Sequence, residues 1–307
     1  MKHEVKITTL LLGMFLMTQL IGLVVIDSYA PKVQQQLVNG TITNVTVENQ
    51  VPYGMEPPKV EPKIGLLNII VALIIAIAVF FMLTRIRASV LIRVWFAFVS
   101  LITVSISLNG LFLQFFDAKL LLEILALAIA IPLTFYKIFR RNIIVHNFTE
   151  LLIYPGLAAL FVPILNVWTM LVLLLIISLY DMYAVWRSKF MVNLAKYQIK
   201  DLKVFTGFFV PYITKEQWKI ISKSKGEGKK KMKVSLAILG GGDVAFPLIF
   251  AGIILRSAGL IPALAIVLCS TLALLGLFIY SRKGKFYPAM PFIALGCLVG
   301  WLITLLL

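Results

Sequence analysis

Acidic residues are scarce in this chain. Asp and Glu number 13 among 307 residues, against 29 Lys and Arg, and charged residues of all kinds make up only 14%. A soluble domain carries roughly 25%. With 61% hydrophobic residues and a mean hydropathy of +0.98, no water-soluble core encloses so much apolar surface, and the bilayer is left as the solvent. Cysteine is nearly absent too. Cys269 and Cys297 both fall in apolar runs, which excludes a disulfide framework and a metal-ligand spacing, so neither metal nor other cofactor is expected. Zinc-finger spacing and glycine–aromatic RNA-binding patterns are also lacking. The net charge of +16 is therefore no nucleic-acid footprint; its basic residues cluster at the ends of apolar runs, where they act as topology signals. No internal repeat and no sustained low-complexity segment is present.

What the chain does have is apolar runs of about twenty residues, the length that spans a bilayer as helix. Nine are expected, near 7–26, 64–83, 89–110, 119–136, 144–164, 166–186, 234–255, 259–280 and 288–306. The fold class is thus an all-α polytopic membrane protein with nine transmembrane helices. The first run follows Lys2 and Lys6 and has no clear small-residue cleavage site before Asp27, which marks a retained helix rather than a signal peptide. Between 89 and 136 only Asn109-Gly110 and Asp117 to Lys119 interrupt the apolar pattern.

Basic residues set the orientation. With the N-terminus cytoplasmic, 24 of the 29 Lys and Arg fall on the inside, thirteen of them between Arg187 and Lys233. The other side has Lys32, Lys59, Lys63, Lys119 and Arg256, and the C-terminus is extracytoplasmic. The chain divides into a six-helix region at 1–186 with an extracytoplasmic loop at 27–63, a basic cytoplasmic loop at 187–233, and a three-helix region at 234–307. The outer loop carries sequons at Asn39-Gly-Thr41 and Asn44-Val-Thr46. In the inner loop, 204–211 is too short to span and is expected at the interface or over a site, while Gly226 to Lys231 meets anionic lipid headgroups.

Ionisable groups within hydrocarbon are costly and point to function. Four acidic residues fall within spans: Glu123, Glu150, Asp181 and Asp243. Glu123 and Glu150 lie near helix ends, where the side chain reaches an interface. Asp181 precedes Arg187 by six residues, on the order of 9 Å of helix. Asp243 follows Lys233 by ten, roughly 15 Å. The two helices run in opposite directions, so both carboxylates reach a comparable depth from the cytoplasmic side. Such a pair shares one proton, since like charges in close apposition do not both ionise cheaply. One carboxylate takes a proton from water and the other donates to a peptide carbonyl.

Asp243 ends Gly240-Gly241-Gly242-Asp243, where glycines inside a helix remove bulk and weaken it. The plainer reading is small-residue helix packing with an accidental aspartate. Pro288-Ala289-Met290-Pro291 opens the last span on the same side as both aspartates, and a proline-broken start leaves backbone groups to line a cavity.

Tyr180-Asp181, Gly240-Gly241-Gly242-Asp243 and Pro288-Ala289-Met290, in that order on matching helices, resemble the presenilin and signal peptide peptidase family. Its motifs are Tyr-Asp, Gly-x-Gly-Asp and Pro-Ala-Leu, with Met290 departing from the leucine. The resemblance implies an intramembrane aspartyl endopeptidase that cleaves transmembrane helices of membrane proteins or signal peptides. It implies Asp181 and Asp243 as catalytic residues, and Tyr180, Gly240, Gly241, Gly242, Pro288, Ala289 and Met290 as substrate-binding ones. The basic cytoplasmic loop is similar to presenilins, and its shortness is similar to an archaeal homologue. Transmembrane helical peptides and membrane lipid are the expected partners, a homo-oligomer is compatible with the chain, and no nucleic acid is expected. Two other readings stand beside it. One is a proton- or cation-coupled transporter or ion-leak channel using the same carboxylates. The other, a membrane scaffold, gives no reason for carboxylates at matched depth.

Overall fold

The computed structural model describes residues 5–38, 41–47, 51–55, 71, 75, 78–79, 82, 89–116, 118–140, 142–188, 206–212, 235–281 and 287–306. In chain order these form α1 (Val5–Ser28), β1 (Lys32–Val38), β2 (Thr41–Val47), α2 (Ser89–Phe112), α3 (Lys119–Phe135), α4 (Ile143–Phe161), α5 (Val167–Tyr183), β3 (Gly207–Tyr212), β4 (Ser235–Gly240), α6 (Gly241–Ala258), α7 (Leu260–Tyr280) and α8 (Met290–Thr304). Helices α3 and α5 are each prolonged by a π-helical turn, Tyr136–Arg140 and Ala184–Ser188. With those turns included, α1 to α7 are long and apolar enough to cross a membrane, while α8 is shorter. The expected span at 64–83 lies mostly outside the described residues, although Val71, Ile75, Ala78, Val79 and Met82 are helical and exposed.

Two expectations are corrected. The molecule is mostly helical but not all-α, since β1 pairs with β2 and β3 with β4, both antiparallel. The run 234–255 does not begin as helix: 235–240 is strand β4, and the helix starts at Gly241. Apolarity alone cannot separate the two states over six residues. In β4 the burial alternates, Ala237 and Leu239 inward and Ile238 outward, as a strand requires.

The packing is inverted relative to a soluble protein. Leu120, Leu121, Ile124, Trp168, Leu175, Ile261 and Leu272 are exposed, whereas Gln19, Thr103, Ser105, Ser107, Asn109, Thr149 and Glu150 are buried. Lipid solvates the first group; in the second, Gln19, Asn109 and Glu150 bond to partners on other parts of the bundle, while Thr103 and Thr149 return their hydroxyls to carbonyls of their own helices. Asn109-Gly110 therefore interrupts nothing. The Tyr29 hydroxyl donates to the Ile106 carbonyl at 2.9 Å and meets Asn109 Oδ1 at 2.9 Å, while Ser28 Oγ donates to the Gly110 carbonyl at 2.6 Å. Burial first, then the neighbouring Tyr53 and Glu123, push the Tyr29 phenol well above its ordinary range, so it stays a neutral donor.

At the centre stands α6, packed against α1, α4, α5, α7 and α8. Small residues let the helices approach. A Cβ on Gly296 would lie 2.7 Å from Cys269 O and Ala273 Cβ, and one on Gly300 2.9 Å from Ile266 Cα. These glycines, four residues apart on α8, seat it against α7. Gly296→Leu is expected to destabilise the fold by about 1–3 kcal/mol through overpacking, read as a lower midpoint of thermal unfolding in detergent.

Candidate active site

Asp243 is the third residue of α6. Gly240 caps that helix in an extended conformation (φ −65°, ψ 145°), and its N–H bonds back to the Asp243 carboxylate. This is one half of a capping box, and the helix N-terminus favours negative charge there. The three glycines serve space rather than unusual dihedral angles, since none has a positive φ. A Cβ on Gly240 would lie 3.1 Å from Asp243 Oδ2, and one on Gly241 would lie 2.7 Å from the Tyr154 hydroxyl. The glycines were expected to loosen a helix interior. Instead they make the junction between β4 and α6, and Gly242 is exposed. Pro247 has no N–H to return to the Asp243 carbonyl, and Gln19 Nε2 donates to the Val244 carbonyl at 2.9 Å.

Asp181 is buried near the end of α5, just before its π-helical turn. The Met290 N–H donates to Asp181 Oδ2 at 3.1 Å, and Ala289 supplies a second backbone bond. Pro288-Ala289-Met290 thus acts through its main chain. It opens α8 with amides aimed at a carboxylate, while the Met290 side chain packs into the core. Asp181 and Asp243 lie within electrostatic range of each other, Asp243 in the first turn of α6 and Asp181 against the first amides of α8. Tyr180, next to Asp181, is 50% exposed and points away from the buried side of α5. Among the described residues, no three His, Cys, Asp or Glu side chains converge as a metal site.

The strand pair leads directly to Asp243. Its register runs from Tyr212 opposite Ser235 to Gly207 opposite Gly240. Phe208 and Val210 face the core beside Leu239 and Ala237. Residues 204–211 were expected at the interface or over a site; 207–211 lie in the strand that flanks the aspartate.

The profile of a family described as signal-peptide peptidase, presenilin aspartyl protease matches residues 37–307. The chain belongs to this family. Two solved structures, each described as a presenilin family intramembrane aspartate protease, are similar to it in fold. One, in space group C222, has a TM-score of 0.64 at 19% identity, covering 97% of this chain and 98% of that one. The other, in P2, has a TM-score of 0.59 at 18% identity, covering 96% of each. No curated protein matches the sequence. The protein is therefore an aspartyl protease with a presenilin-like, multi-pass membrane fold. A transporter finds no support in these comparisons.

This presenilin-family chain also carries a polar stripe that the sequence reading missed. His146, Glu150 and Tyr154 recur every four residues on one face of α4. Lys137 Nζ donates to Glu150 Oε1 at 2.6 Å with both side chains buried, and His146 Nε2 lies 3.7 Å from the same oxygen. Glu150 was expected to reach an interface. It is fully buried instead, because Lys137 from the end of α3 turns inward to meet it. The Tyr154 hydroxyl lies beside Gly241 and faces Glu150, one turn earlier on α4. The period of four in polar residues was the signal available in the sequence.

The close approach of Tyr154 to Gly241 gives a testable pair. Gly241→Ala is expected to cost about 1–3 kcal/mol through overpacking, with activity lowered as the start of α6 shifts. Tyr154→Phe removes the oxygen in the way, so Gly241→Ala should cost less in that background. Thermal midpoints and cleavage rates of the four proteins measure the coupling.

Proposed function

We propose that Asp181 and Asp243 are the catalytic pair and hydrolyse peptide bonds of transmembrane segments, in membrane proteins or signal peptides. The observation that carries this reading is the pair itself: two carboxylates within electrostatic range, each held by backbone N–H groups at a helix N-terminus. The pair holds one proton. The ionised member takes a proton from water, and the water oxygen attacks the carbonyl carbon. The protonated member gives its proton to the carbonyl oxygen. In the tetrahedral gem-diol the C–N bond then breaks as one hydroxyl returns its proton to the now ionised aspartate and the leaving nitrogen takes up the proton first drawn from water, so the pair again holds one proton.

A transmembrane helix must be extended to present its backbone. Strand β4 has an edge free of β3, and it ends at Gly240, whose N–H already faces Asp243. A substrate strand added there by main-chain hydrogen bonds reaches the carboxylates. Gly240, Gly241 and Gly242 keep that approach clear of side chains. Pro288, Ala289 and Met290 bind substrate indirectly, by fixing Asp181, and Tyr180 meets it from the exposed face of α5. Nine spans with a cytoplasmic N-terminus put the site on the cytoplasmic side, with regions 1–186, 187–233 and 234–307. The basic residues support this through their one-sided distribution.

The test is cleavage of a transmembrane peptide by purified protein in proteoliposomes, with products identified by mass. Wild type should cleave, and a hydroxyl-bearing transition-state isostere should block it. Cleavage by Asp181→Ala or Asp243→Ala at the wild-type rate would remove that aspartate from the mechanism.

A further inference from the structure

The edge of β3 that faces away from β4 is already occupied, although no strand among the described residues lies there. Asn147 Nδ2 donates to the Phe209 carbonyl at 2.7 Å, and the Phe209 N–H donates to Asn147 Oδ1 at 2.9 Å. One amide side chain thus makes the paired bonds that a neighbouring strand would make. One residue earlier on α4, His146 Nε2 donates to the Gly207 carbonyl at 2.8 Å. Backbone groups in a strand alternate between its two edges, so Gly207, Phe209 and Pro211 all turn the same way. Pro211 has no N–H to offer. From 209 to 211 that edge has no free donor, and both the Gly207 and the Phe209 carbonyl are engaged. By the same alternation Leu236, Ile238 and Gly240, opposite Pro211, Phe209 and Gly207, direct their backbone groups away from β3.

We infer that His146 and Asn147 are positioning residues that close the outer edge of β3 in place of a strand, confining an extended substrate to β4 and fixing which bond reaches the aspartates. The inference rests on the substrate-strand reading above. Ring contacts hold the clamp in place: His146 lies against Phe209 with centroids 4.9 Å apart, and Tyr154 meets Phe208 edge to face at 5.8 Å. His146 is tied in turn to the buried Lys137–Glu150 pair. Without the clamp, β3 presents a second edge and the strand pair shifts relative to Asp243.

The experiment compares wild type, Asn147→Ala and Asn147→Asp as full-length protein in proteoliposomes, using one transmembrane peptide. KM, kcat and product masses are measured. Asn147→Ala loses both bonds, and kcat/KM is expected to fall about tenfold, mainly through KM. Its products should spread to peptide bonds neighbouring the wild-type site. Asn147→Asp keeps the acceptor for the Phe209 N–H and should fall between the two. A purely structural role would lower the unfolding midpoint and leave the cleaved bond unchanged. If Asn147→Ala, or Asn147→Asp should the alanine variant not fold, cleaves only the wild-type bond with an unchanged KM, the inference is overturned. Failure of the catalytic pair would be read separately, as cleavage by the aspartate variants.

Discussion

Asp181→Asn, Asp243→Asn and the double variant are expected to be equally inactive. General acid and base catalysis contributes on the order of 10²–10⁴ for each positioned group, but two groups that share one proton act as a unit. Whichever carboxylate is left acts as base or as acid, but not as both at once. Asparagine keeps the shape and an acceptor oxygen. At 181 it still accepts from the Met290 N–H, and at 243 from the Gly240 N–H, so both helix starts should survive. Cleavage rates in proteoliposomes, alongside thermal midpoints close to wild type, check the prediction. A double variant far slower than either single one would mean that the two aspartates contribute independently.

The largest stability effect is expected at the buried ion pair. Lys137→Met leaves Glu150 fully buried without its partner, and breaking such a pair from one side costs about 3–5 kcal/mol. Glu150→Leu strands Lys137 by the same amount. The double variant, Lys137→Met with Glu150→Leu, removes both desolvated charges together and is expected to lie near wild type or above it. Denaturant titration in detergent measures all four proteins. Equal and additive losses would mean that the two side chains are not coupled in the folded state. The cycle also separates stability from activity, since Glu150 approaches His146, which holds the Gly207 carbonyl.

Much of the site was legible without coordinates. Asp181 and Asp243 stand out because carboxylates are rare in apolar runs, and the order of the Tyr-Asp, glycine and Pro-Ala-Met segments matched a family whose profile covers residues 37–307. What those segments do was less legible. Pro288-Ala289-Met290 read as a lining for a cavity, yet its amides bond Asp181. That role belongs to the main chain, and no side-chain pattern announces it. Glu150 read as an interfacial carboxylate because Lys137, thirteen residues earlier, counted as a loop charge. Only the turn between α3 and α4 brings the two together.

The sequence by itself determined that this is a multi-span membrane protease whose apolar spans hold two aspartates, Asp181 and Asp243. Hydrophobic run length and the cost of buried charge are local properties, readable residue by residue. The tertiary structure decided that 235–240 is a strand rather than the start of a helix. That choice depends on β3, nearly thirty residues away in sequence, and on Asn147 and His146, which hold β3 in place. Six apolar residues satisfy a helix or a strand equally well, so the partner that takes up their backbone hydrogen bonds settles the matter.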